Sequence, residues 1–124
     1  MSTGNQALRK PQVVKPITKE IVVDVTGFTQ TDNAIGLTVP AGKFVTGAYI
    51  SNPANDLAGT GATIAVKVGT TAVVSATAIT SIKNTGVGAI DASPDYSATA
   101  RTVYLTVATA NLTAGTCVVK VTYI

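Results

Sequence analysis

Apolar and polar residues alternate along most of this chain with a period of two, the spacing of a strand that buries one face. Ile21, Val23 and Val25 share one side of the first such run, and Ile35, Leu37 and Val39 share one side of the second. Pro40-Ala41-Gly42 reads as a turn, because Pro presets the first turn dihedral and Gly accepts a positive one. The run from Lys43 to Ser51 carries Phe44, Val45, Tyr49 and Ile50. Residues 62–68 alternate cleanly, with Ile64, Val66 and Val68 on one side and Thr63, Ala65 and Lys67 on the other. Gly69-Thr70 is a hairpin connection into Thr71–Ser75. Residues 76–83 fit a helical turn through Ala76, Ala78, Ile79 and Ile82, while their Thr and Ser residues argue against a long helix. Two strong runs close the chain. Val103, Leu105 and Val107 point inward in the first, and Cys117, Val119, Val121 and Tyr123 share a side of the second, with a turn over residues 111–115 between them.

Breakers and small side chains set two long loops, residues 52–61 and residues 84–97. The expectation is therefore about seven or eight short strands at roughly 8–12-residue spacing, an all-β antiparallel sandwich or small jelly roll. A parallel sheet needs crossover connections of about a dozen residues, for which there is no room. The core is small-grained, with Phe only at 28 and 44 among Val, Ala and Thr. Such a domain is modestly stable alone, and oligomerisation would bury more of it and cover its strand edges.

Residues 1–19 differ from the rest. Pro11 and Pro16 interrupt a polar stretch whose apolar content is little more than the doublet Val13-Val14, which predicts an extended arm ahead of a domain over residues 20–124. Of nine basic residues, Arg9, Lys10, Lys15 and Lys19 lie in this arm, which has no acid. The remaining five bases face six acids, so the formal charge of +3 belongs to the arm and not to the domain. Four charges with no aromatic residue to stack on bases do not make a nucleic-acid site, and an acidic patch on a protein partner is the better match. No run approaches the roughly 18 apolar residues that span a bilayer. The polar start, Met1-Ser2-Thr3-Gly4-Asn5-Gln6, has no apolar core of a secretory signal.

Candidate chemistry is sparse. There is no His, which removes the usual general base and most zinc and copper sites. The one Cys, Cys117, sits in an alternating strand and reads as a small buried hydrophobe. Gly59-Thr60-Gly61 and Gly86-Val87-Gly88 lack the third glycine and following helix of a dinucleotide fingerprint. Asp91 and Asp95 offer two carboxylates in the second loop, short of the oxygen ligands a calcium loop supplies. No enzyme activity, cofactor or metal is expected. Tyr96, in the acidic loop, and Tyr104, out of phase with Val103, Leu105 and Val107, are the candidate interface anchors.

Three stretches carry a resemblance: 37–50 with its Val39-Pro40-Ala41-Gly42 turn, 65–72 with Val68-Gly69-Thr70, and 112–124 with Thr113-Ala114-Gly115 and the closing strand. Together, across residues 34–124, they resemble small accessory proteins of tailed bacteriophage virions. The resemblance implies a β-sandwich outside a phage shell that decorates and cements it, with the major capsid protein as partner and the protein made in the host cytoplasm. A symmetric homo-oligomer, dimer or trimer, is expected. The partner-binding residues are then Arg9, Lys10, Val13, Val14, Lys15 and Lys19 of the arm, together with Tyr96 and Tyr104. The alternative is a receptor- or glycan-binding domain of a phage tail or fibre, working through the two long loops.

Overall fold

The computed structural model describes residues 15–84 and 86–124, without the side chains of Asn84 and residues 89–94. The elements are β1 (Ile17–Asp24), β2 (Asp32–Val39), β3 (Lys43–Ser51), β4 (Thr63–Val68), β5 (Thr71–Ala78), α1 (Ile79–Asn84), β6 (Val87–Ser97), β7 (Arg101–Ala108) and β8 (Thr116–Tyr123). They form two four-stranded antiparallel sheets, ordered β1-β8-β3-β6 and β2-β7-β4-β5, and the fold is an all-β sandwich. Strands pair from the outside of the sequence inward, β1 with β8, β2 with β7, β3 with β6 and β4 with β5. The chain thus resembles one long hairpin rolled over, and the roll is closed by pairing β3 with β8 and β4 with β7. No helix among the described residues is long and apolar enough to cross a membrane.

The period-two faces meet in one core. Val103, Leu105 and Val107 of β7 pack against Cys117, Val119, Val121 and Tyr123 of β8, with Ile64, Val66 and Val68 of β4 beside them. Each such side chain contributes about 1.5–3 kcal/mol through burial. The strand ends divide the molecule unequally. At one end the connections are the short turns at residues 40–42, 69–70 and 98–100. At the other, longer segments drop Leu57, Ile79, Ile82 and Leu112 into the open mouth of the sandwich, all buried. Ile79 and Ile82, three apart, bury one face of α1 there.

Two sequence expectations need correction. Residues 84–97 are not a loop over their length, because β6 occupies Val87–Ser97 along the edge of β3. The glycines and Pro94 that signal a loop are tolerated because β6 is an edge strand, where a missing donor costs little. The ladder runs Ile50↔Val87 to Gly47↔Ile90 and resumes at Val45↔Asp95, so residues 91–94 break the register opposite a single residue, Thr46. The same irregularity changes the phase of β3, which buries Val45 before it and Ala48 and Ile50 after it. The second correction is the sheet's start at Ile17, which pairs with Tyr123 and brings Thr18 and Lys19 into β1.

Candidate interaction surface

The outer face of the β1-β8-β3-β6 sheet is a grid of outward positions set by register. Its first row, at the end where β1 begins, holds Phe44 and Tyr96. Their rings lie 4.9 Å apart at an interplanar angle of 47°. The second row holds Thr18, Thr122 and Gly47, and the two threonine hydroxyls are 2.9 Å apart. The third holds Glu20, Lys120, Tyr49 and Gly88. Here Lys120 Nζ lies 3.5 Å from the Glu20 carboxylate and 5.9 Å from the centre of the Tyr49 ring. Val22, Val118 and Ser51 form the fourth.

This face is less polar than an ordinary solvated one. Among the described residues the exposed large hydrophobic side chains are Ile17, Val22, Phe44, Tyr49 and Tyr96, all on strands of this one sheet and all but Ile17 in its outward phase. Val22 is 64% exposed and Tyr96 52%. Between the aromatic row and the Tyr49 row lies a shallow open groove of about 810 Å³, lined by Thr18, Thr122 and Lys120 and by the small residues Gly47, Ala48 and Gly88. The opposite outer face is different. Asp32 there accepts from the Thr106 hydroxyl at 2.6 Å and from Lys67 Nζ at 3.2 Å, which holds its carboxyl below the usual range, the Thr106 bond first.

Sequence reasoning found part of this surface. Arg9, Lys10, Val13 and Val14 lie outside the described residues. Lys15 is exposed just ahead of β1, and Lys19 is exposed within it, opposite Val121. The entry of β1 and the Phe44–Tyr96 pair share one end of the sheet, but β1 and β6 are its opposite edges, so Lys15 and Tyr96 are not brought together. Tyr104 is on the outer face of its strand as expected, but that strand belongs to the other sheet, where it faces Ala34 and Lys67 across the ladder. Tyr96 and Tyr104 therefore do not form one site. The residues missed are Val22, Phe44, Tyr49 and Val118, and the outward phase of Val22 and Val118 against their strands is the signal that marks two of them.

The remaining polar clusters tie the scaffold together. Arg101 of β7 reaches across to the other sheet, donating to Asp95 Oδ2 at 2.5 Å and to the Lys43 and Asp95 carbonyls at 3.2 Å. Buried Asn52 donates to Asp56 Oδ1 at 2.8 Å and to the Thr116 carbonyl at 2.6 Å, and accepts from Leu57 N–H at 3.2 Å. These bonds lower the Asp56 pKa, the Asn52 bond first and the Thr116 N–H second. Cys117 is buried, and burial chiefly, with the Asp56 charge, pushes its thiol up to about 12. That makes it inert as a nucleophile near neutrality. Among the described residues no group of three His, Cys, Asp or Glu side chains is placed to hold a metal ion.

No family model matches the sequence, and no curated protein matches it. Among solved structures the fold is similar to a chain in the acidic stable capsid structure of Helicobacter pylori bacteriophage KHP30. The TM-score is 0.54 at 14% identity, over 88% of this chain and 90% of that one. At that identity the likeness is one of fold, and it spans nearly the full length of both chains.

Proposed function

We propose that this chain is a virion structural protein that decorates a phage capsid and stabilises it by bridging shell subunits. The observation that carries the reading is the fold likeness to a chain of a phage capsid structure along almost all of both chains. The strand orders β1-β8-β3-β6 and β2-β7-β4-β5 support it, since we read the rolled-over hairpin as a jelly roll, an architecture used by viral capsid domains. The domain sits on the capsid surface as a homo-oligomer, assembled from chains made in the host cytoplasm. The basic segment with Arg9, Lys10, Val13, Val14 and Lys15 reaches along the major capsid protein to a neighbouring subunit, with Lys19 of β1 at its root. Residues 1–14, fully extended, reach up to about 46–50 Å, enough to cross a joint between subunits.

The test begins with the native particle, in which this chain is counted against the major shell protein. Copies in a fixed ratio to the shell lattice support decoration. A handful of copies per particle, or none, overturns it. Deleting residues 1–14 leaves β1 intact and should abolish rebinding to stripped particles. Full rebinding by the truncated chain would remove the bridging role of the segment.

A further inference from the structure

The geometry points to the outer face of the β1-β8-β3-β6 sheet as a self-complementary interface, one copy docking on the same face of a second across a two-fold axis. This inference names the surface behind the proposed oligomer and rests on the face itself, not on the virion reading. A two-fold interface must carry both halves of every contact on one surface, because each patch meets its own copy. This face does so. The Phe44–Tyr96 pair stands out at one end, and the groove floored by Gly47, Ala48 and Gly88 lies beside it. A two-fold rotation sets the aromatic pair of each copy over the groove of the other, where the small residues leave room for rings.

Charge permits the pairing. At the centre of the face Lys120 is matched by the Glu20 carboxylate and lies over the Tyr49 ring, so like copies do not repel there. The whole face, four strands about 4.8 Å apart with eight residues of about 3.3 Å rise, measures roughly 500 Å² on each copy. Full overlap of two faces would bury about 1,000 Å², the threshold of a specific interface, and docking centred on the ring-and-groove end covers less, which makes the pair a concentration-dependent one. Tyr and Phe anchors, with charged residues few, match the composition of such interface centres. The opposite sheet, by contrast, pairs Asp32 with Lys67 and Thr106 and shows none of the exposed large hydrophobic side chains described.

Sedimentation of the purified full-length chain, free of any particle, tests the proposal. The expected species has twice the 12.5 kDa chain mass. F44A/Y96A removes the projecting rings, and T122R fills the groove. Each variant alone should sediment as a monomer with its strand circular dichroism intact. Mixed, the two should recover the two-chain species, because the intact rings of one enter the intact groove of the other and the missing rings make space for the arginine. T18R fills the same groove from the edge strand and serves where T122R disturbs the sheet. A monomer at all concentrations, a three-chain mass, variants that still pair with themselves, or a mixture that stays monomeric overturns the proposal. So does pairing that appears only after residues 1–14 are deleted, which would assign the groove to the chain's own segment. None of these outcomes depends on whether the protein is found in a virion.

Discussion

Asn52 is the only buried polar side chain among the described residues, at 1% exposure, and replacing it tests how the long-loop end of the sandwich is held. Asn52→Ala leaves the Thr116 carbonyl and the Leu57 N–H without their partners. An orphaned buried backbone group costs about 1–3 kcal/mol. The Leu57 amide lies in the buried mouth and bears the full cost. The Thr116 carbonyl is half-buried and falls at the lower end, so the sum is about 2–4 kcal/mol. Urea unfolding should show the midpoint falling at constant slope. In parallel the Asp56 pKa, followed by carbonyl NMR, should rise toward the ordinary carboxylate value, because the amide of Asn52 is its first support. Asn52→Asp sharpens the argument. It keeps an acceptor for Leu57 but sets a carboxylate against Asp56 and a carbonyl, which raises its pKa in the fold above that in the unfolded chain. Relative to wild type, this variant should be most stable at low pH and lose stability as pH rises through the raised pKa. A loss under about 0.5 kcal/mol for Asn52→Ala, in the range of an ordinary surface substitution, would refute the reasoning.

Three further outcomes follow from the scaffold. Arg101→Ala removes a side chain 10% exposed and its bonds to Asp95 and two carbonyls between the sheets, so urea unfolding should show a loss of about 1.5–3 kcal/mol. An unchanged midpoint would mean that the sheets do not need this tie. Gly115 has φ +132°, and an added Cβ would stand 2.7 Å from Leu57 Cδ2 and 2.9 Å from Leu57 Cα. Gly115→Ala should therefore destabilise by more than about 1 kcal/mol in thermal unfolding, and wild-type stability would show that the loops yield freely. The Cys117 thiol, moved from its usual 9.0 to about 12, favours the fold fully below pH 9 and loses that contribution as pH rises toward 12. Cys117→Ala should lack this alkaline component in paired unfolding curves. A thiol reagent should label native Cys117 at pH 8 only as fast as the chain opens, and immediate labelling would contradict its burial.

What the sequence made legible was the side of each strand that faces inward. Val103, Leu105 and Val107, and Cys117, Val119, Val121 and Tyr123, occupy the core in the phase their alternation implies. What it hid was pairing between distant segments. Gly86, Gly88 and Pro94 are local arguments for a loop, yet the free edge of β3 recruits Val87–Ser97, and Gly88 fits because the Tyr49 ring lies where a side chain would stand. The irregularity at Thr46 is equally silent, since Thr46 is an extra residue of β3 against β8, at the register break with β6, and moves Ala48 and Ile50 to the inner side. The apolar outer face was visible one residue at a time, as Val22 and Val118 out of phase or Tyr96 in a polar stretch. Its assembly required knowing that the first, third, sixth and eighth strands lie side by side.

The same strand order has a consequence for the birth of the protein. The latest two of the eight strands in the sequence, β7 and β8, lie in the interior of the two sheets, between β2 and β4 and between β1 and β3. Until they leave the ribosome, β1 and β2 have no ladder partner, and their apolar faces at Ile21, Val23, Ile35 and Val39 have nothing to close against. Joining Ile17 to Tyr123 closes nearly the whole chain into a loop, and non-local pairing of this kind makes folding slow. A chain cut short before β8 leaves one sheet without its second strand, and the Thr18–Thr122 groove forms only with β8 in place.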